Sequence, residues 1–225
     1  MDQSRTADDE AGEYVILLPV KPPGRGKSRL LRPDDVTSLS DAGRSELAEA
    51  FALDAAVACL SAARVHAVLA VTDDAAFAGR LSTLGAAAIP DGGTGLNGVL
   101  RQAAAEAGRR WPGAQPVALL ADLPALRPGD LDQALSALVP GGASFVADAE
   151  GTGTVLYTAP AELFDPAFGA DSAHAHQVGG ALAVRGDLAS LRRDVDDLDD
   201  LDVALELGVG AHTQRCVTRL GLRRR

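Results

Sequence analysis

The chemistry in this sequence lies in a few carboxylates and one basic loop. Residues 117–124 read VALLADLP, five apolar residues running into Asp122 with Pro124 close behind. An unbroken apolar run of this kind predicts a parallel strand buried on both faces. Proline cannot donate to a ladder, so the strand is expected to end at about Asp122. Open α/β sheets gather ligands at that edge, and Asp122 is expected to hold a magnesium ion on a nucleotide. A second acidic group follows later, with six aspartates between Asp194 and Asp202. Asp197, Asp199 and Asp200 suit the first turn of a helix. Asp194 and Asp196 precede it, and in an extended segment they face the same side. Placed beside Asp122, they would complete a magnesium cage.

Residues 21–30 (KPPGRGKSRL) join two glycines to four basic side chains just after the first apolar run. Such a loop suits phosphates. Gly26-Lys27-Ser28 matches the end of a P-loop, and VALLAD resembles a Walker B strand. Against that reading, the motif's first glycine would fall on Lys21. A helix opening at Lys27 would also meet Pro33 within two turns, at a cost of about 3 kcal/mol. An ordinary solvated basic loop is the third reading, and the residues alone leave all three open.

Gly92, Gly93 and Gly95 precede a helix expected to run to about Arg109, and they allow close backbone approach to a flat ligand. The Asn97 amide both donates and accepts, which suits a purine edge; a plain loop with an asparagine near the helix start is the other reading. Residues 151–154 (GTGT) put small polar groups at the mouth of a strand. Residues 168–172 (FGADS) place a glycine before helix N-cap residues, where free N–H groups bind carboxylates and phosphates. His174 and His176 are two apart and do not share a helix face, so a zinc pair is not expected.

The elements that must position these groups alternate along the chain. Strands are expected at residues 14–20, 65–71, 86–89, 117–122, 144–147, 155–157 and 181–184. Helices are expected from 40 or 41 to about 60, over 74–84, from about 96 to 109, from about 128 to 139, and after the acidic run. Asp54 falls on or beside the apolar stripe of the first helix, and a structural role is expected for it; His66 is likewise read as structural. The alternation has no linker, which predicts one α/β domain over residues 14–210. Residues 1–13 read as a disordered acidic tail and residues 211–225 as a basic C-terminal tail.

Composition sets the remaining bounds. A formal net charge of −10 over 225 residues argues against sequence-independent binding of nucleic acid. Cys59 and Cys216 are the only cysteines, without metal-ligand spacing, and are expected to be reduced thiols. No segment reaches the ~18 apolar residues of a membrane span, and the start lacks a signal-peptide core. The expectation is a cytoplasmic protein with no membrane partner. A homodimer is compatible with the sequence, which carries no feature that sets the oligomeric state.

In order, the motifs are PVK…GKSRL, GLNGVL, ADLP, GTGT, FGADS and DVDDLDDL. Together they resemble the phosphoenolpyruvate or 2-phospho-L-lactate guanylyltransferases of coenzyme F-420 biosynthesis, relatives of molybdopterin guanylyltransferase. The resemblance spans roughly residues 14–210. It implies a mostly parallel mixed sheet flanked by helices, in the nucleotide-diphospho-sugar (glycosyltransferase-A-like) transferase fold. By that resemblance Lys21, Lys27 and Arg29 bind the triphosphate of GTP, and Lys27 and Arg29 are catalytic beside Asp122. Gly95, Leu96 and Asn97 hold the guanine. Asp122, Asp194 and Asp196 carry Mg2+. Thr154, Gly169 and Ser172 take a small phosphorylated carboxylic acid, with phosphoenolpyruvate favoured over 2-phospho-L-lactate and 3-phosphoglycerate. The family usually has glycine where this chain has Ala121, and an added methyl there is expected to crowd the nucleotide. A molybdopterin guanylyltransferase, a sugar nucleotidyltransferase and a nucleotide-binding regulator are the competing readings.

Overall fold

The computed structural model describes residues 13–20 and 39–222. The expected N-terminal tail up to residue 12, the basic loop with Lys21, Lys27 and Arg29, and residues 223–225 lie outside the described residues.

Seven strands form one mixed sheet: β1 (Tyr14–Pro19), β2 (Val65–Val71), β3 (Ala87–Ile89), β4 (Gln115–Leu119), β5 (Ser144–Ala147), β6 (Thr154–Thr158) and β7 (Leu182–Ala183), in the order β3-β2-β1-β4-β6-β5-β7. The first four run parallel to one another, β6 is antiparallel to both β4 and β5, and β7 pairs parallel to β5. Both faces are covered, which explains the unbroken apolar runs. In β1, Ile16 and Leu18 enter one core with Val68, Ala70, Val117 and Leu119, while Val15 and Leu17 enter the other with Leu69, Val71 and Ala118. Helices α1 (Asp41–Leu60), α2 (Ala75–Leu84), α4 (Pro128–Ser136) and α6 (Ala189–Arg192) contribute to the first core. Helices α3 (Gly95–Arg110) and α5 (Ser172–Val178) contribute to the second. The predicted single α/β domain with a mostly parallel mixed sheet is therefore the observed one.

Two boundaries differ from expectation. β4 ends at Leu119, not near Asp122: the Leu120 N–H makes one further bond across to β6, to the Val155 carbonyl (3.0 Å), and the chain then bends. At the other end, residues 211–220, expected as part of a basic tail, form helix α8 (Ala211–Leu220). Thr213, Cys216 and Val217 recur at helical spacing and are buried, so arginines on the opposite face do not make this segment a tail. With α7 (Leu198–Leu207), α8 packs its apolar face on the outer side of α1 around Leu47 and Phe51. Buried Asp54 fastens it: its two oxygens accept from the N–H groups of His212 (3.0 Å) and Thr213 (2.7 Å), at the N-terminus of α8. That is the structural role expected of Asp54.

Candidate active site

The carboxyl ends of β1, β2 and β4 share one edge of the sheet, and the antiparallel β6 begins there. Leu119 pairs with Leu156 and Leu120 bonds to Val155, so Thr154 stands beside the corner at Ala121-Asp122. Two backbone bonds fix that corner: the Asp122 carbonyl accepts from Val195 N–H (3.0 Å), and the Pro124 carbonyl accepts from Gly210 N–H (2.9 Å). Leu123 is fully buried between them.

The Val195 bond also places the second acidic group. Val195 is buried in the outer core, which turns Asp194 and Asp196 to the side facing Asp122. One carboxylate oxygen from each of Asp122, Asp194 and Asp196 lies within 4.8 Å of the others. Two arginines hold the segment from below. Arg192 donates to the carbonyls of Ala147 (2.8 Å) and Val184 (2.9 Å), tying α6 to β5 and the end of β7. Arg193 reaches Glu150 (3.1 Å) and Asp200 (3.2 Å). Asp197 caps α7 in a reciprocal capping box with Asp200, as the acidic run predicted. Three carboxylates of mixed burial form an all-oxygen donor set, which suits a hard divalent cation.

The glycine loop packs tightly onto the start of α3. A Cβ on Gly93 would collide with the backbone of Val99, so glycine is required there. Asp73 and Asp91 shape the turn by accepting from the N–H groups of Asp91 (2.9 Å) and Gly93 (3.0 Å). Gly95 is exposed with a φ of 70°, and Leu96 leans on the second core. Asn97, expected to read a purine edge, turns its side-chain amide to the backbone of Phe168. Its Nδ2 donates to the Phe168 carbonyl (3.0 Å) and its Oδ1 accepts the Phe168 N–H (2.8 Å). The donor–acceptor pair that suits a purine edge matches a peptide group equally well, and the peptide holds it.

The third cluster surrounds Thr154. Asp148 accepts from the N–H groups of Thr152 (3.0 Å) and Gly153 (2.7 Å), curling residues 148–153 so closely that a Cβ on Gly153 would strike its carboxylate. The Thr152 carbonyl then accepts from Ala173 N–H (3.1 Å), joining this turn to α5. Ser172, Thr154 and His176 are each almost wholly buried. Gly169 is exposed, and Asp171 holds a left-handed φ of 51°. His176 Nε2 accepts from Ala167 N–H (2.9 Å), and Nδ1 lies 3.0 Å from Thr154 Oγ1. The ring stacks on Tyr157 at 4.5 Å and meets the edge of Phe168 at 5.4 Å. Burial pushes the imidazole pKa down to about 4, partly opposed by the Ser172 carbonyl.

Of the expected site residues, Asp122, Asp194 and Asp196 come together, and Thr154 stands beside them. Gly169 and Ser172 flank the turn into α5, and Gly95 to Asn97 open α3. Ala121 packs against the first core without a positive φ, so its backbone makes no demand for glycine. His176, Asp148 and Arg193 went unpredicted. His176 sits four residues after Ser172, one turn along the same helix face, and that spacing was the available signal.

A mixed sheet of this order, with a carboxylate cluster at its ligand edge, has the nucleotide-diphospho-sugar transferase-like fold. The crystal structure described as a nucleotide-diphospho-sugar transferase from Desulfovibrio desulfuricans G20 superposes with a TM-score of 0.65 at 18% identity, covering 93% of this chain and 96% of that one. No family model matches the chain. Among curated relatives, the phosphoenolpyruvate guanylyltransferase of Streptomyces scabiei is 44% identical over 217 residues, covering 92% of this chain and 97% of the relative. That of Salinispora arenicola is 45% identical over 204 residues, covering 89% and 91%. The chain belongs to the phosphoenolpyruvate guanylyltransferase family.

Proposed function

We propose that the protein transfers GMP from GTP to phosphoenolpyruvate, giving enolpyruvyl-2-diphospho-5'-guanosine and pyrophosphate. The observation that carries this reading is the convergence of Asp122, Asp194 and Asp196 beside Thr154, in a chain whose relatives bear that name. An oxygen of the acceptor's phosphate attacks the α-phosphorus of GTP as the bond to the pyrophosphate oxygen breaks. The acceptor phosphate has a second pKa near 6, so the attacking oxygen is already ionised at neutral pH and needs no protein base. His176 accords with this, since its Nε2 is occupied by a backbone N–H and its pKa is low.

Positioning and charge neutralisation remain for the protein to supply. Asp122, Asp194 and Asp196 would hold the Mg2+ that offsets charge on the two anionic substrates. Lys21, Lys27 and Arg29 take the triphosphate, with Lys27 and Arg29 stabilising the departing pyrophosphate. The guanine lies against the backbone of Gly95, Leu96 and Asn97. Thr154, Gly169 and Ser172 receive the acceptor, whose conversion would belong to coenzyme F-420 biosynthesis. The choice of acceptor is tested by incubating the protein with Mg2+, GTP and one of phosphoenolpyruvate, 2-phospho-L-lactate or 3-phosphoglycerate. The highest kcat/KM is expected with phosphoenolpyruvate; a clear preference for either alternative overturns that assignment.

A further inference from the structure

Asn97 stands in the first turn of α3, directly after the glycine loop, yet both ends of its amide are directed 71 residues along the chain. The two bonds to Phe168 form a closed pair with the backbone N–H and C=O of a single residue. One turn further along α3, Arg101 grips the same segment. Its Nε (2.9 Å) and a terminal nitrogen (2.6 Å) bond to Asp165, and that nitrogen also reaches the Pro166 carbonyl at 3.5 Å. Phe168 is buried in the second core against the His176 ring, and Gly169 follows at once with a φ of 150°. The segment from Asp165 to Asp171 is thus pinned at Asp165, at Ala167 by His176 and at Phe168 by Asn97, and it leads straight into Ser172. Only the Asn97 pin comes from the side chain next to the glycine loop.

We propose that Asn97 is a positioning residue for the acceptor: its amide fixes the Phe168-Gly169 peptide and thereby sets the acceptor subsite, while guanine selection is left to neighbouring backbone groups. The inference rests on Gly169 and Ser172 lining the acceptor subsite. Truncating the side chain would leave the Phe168 N–H and carbonyl unpaired in a partly buried place and let the peptide rotate. Removing two such bonds is expected to weaken whatever the loop binds by about tenfold or more. Base selection would be untouched, because both polar atoms of the amide are directed to Phe168 and the guanine is left to backbone groups.

The test compares wild type, Asn97→Ala and Asn97→Asp for KM of phosphoenolpyruvate, KM of GTP and the preference for GTP over ATP. Asn97→Asp keeps an oxygen for the Phe168 N–H but sets a carboxylate oxygen against the Phe168 carbonyl in place of the donor. Asn97→Ala is expected to raise the acceptor KM about tenfold or more, with the GTP-over-ATP preference within twofold of wild type. Asn97→Asp, with a carboxylate facing that carbonyl, should raise the acceptor KM to a comparable extent. Loss of GTP preference with an unchanged acceptor KM overturns the inference and makes Asn97 a base reader. A wild-type protein that uses no phosphorylated acid fails the functional reading itself, and the inference falls with it. If Asn97→Ala does not fold, Asn97→Asp decides, since a rise confined to the acceptor KM supports the inference and a change confined to GTP preference overturns it.

Discussion

Thr154 Oγ1 and His176 Nδ1 lie 3.0 Å apart in a site from which water is almost excluded. Because the Ala167 N–H donates to Nε2, the neutral ring carries its proton on Nδ1 and donates it towards Thr154. The threonine oxygen is then the acceptor in that bond, and its own hydrogen stays available as a donor. In the proposed acceptor subsite, that hydrogen is the donor left for an anionic molecule. Replacing Thr154 by valine removes the hydroxyl at nearly constant volume. Thr154→Val is expected to raise the KM of phosphoenolpyruvate about tenfold while moving the KM of GTP less than threefold. Steady-state kinetics with each substrate varied in turn checks this, and equal changes in both constants would count against it.

The same histidine predicts a pH dependence of stability. Its folded pKa of about 4 is below the ordinary value of 6.5, so the unfolded chain binds the proton more readily between those limits. The stability contributed by the neutral ring is therefore complete above about pH 6.5 and is lost as pH falls towards 4. From pH 7 to 4.5, wild type should lose roughly 2 kcal/mol more than His176→Gln, which has no proton to take up. Urea unfolding of both proteins at the two pH values measures the difference; parallel losses would contradict it.

For the carboxylate cluster, Asp122→Asn and Asp194→Asn should each keep the fold and lower kcat/KM by at least about a hundredfold. Chelation of divalent ions should have a comparable effect on wild type, reversed by adding Mg2+. Circular dichroism alongside the kinetics separates lost chemistry from lost structure. Wild-type activity in purified Asp122→Asn would remove this residue from the metal site.

Asp54 offers a test far from the chemistry. Asp54→Ala strips both acceptors from the first turn of α8 and should destabilise the fold by about 2–4 kcal/mol. Gly210, whose N–H donates to the Pro124 carbonyl, lies close by, since a Cβ on it would collide with the Asp54 carboxylate. Gly210→Ala is therefore expected to destabilise as well. Thermal or urea unfolding checks both, and unchanged midpoints would mean that α8 is held by its apolar face alone.

Much of the fold was legible because burial on both faces leaves unbroken apolar runs, as in residues 14–20 and 117–121. Asp194 and Asp196 could be paired from sequence because Val195 between them is apolar, and alternation in an extended segment has one outcome. Other parts were hidden for definite reasons. The arginines of residues 211–225 masked the short apolar stripe of α8. The amide of Asn97 has the same donor and acceptor pattern for a purine as for a peptide, and only the fold brings Phe168 within reach. His176 was judged by its distance from His174, whereas its partners, Thr154 and Ala167, come from other segments. Such long-range side-chain pairings have no local signature.

Transfer of a guanylyl group to a phosphorylated acid is read directly from the mass of the product. The protein, Mg2+, GTP and phosphoenolpyruvate are incubated together, with pyrophosphate and orthophosphate quantified beside mass spectrometry of the nucleotide product. One pyrophosphate is expected for each guanylylated phosphoenolpyruvate, and none when the acceptor is omitted. Release of orthophosphate with GDP, or of pyrophosphate without an acceptor, would contradict it.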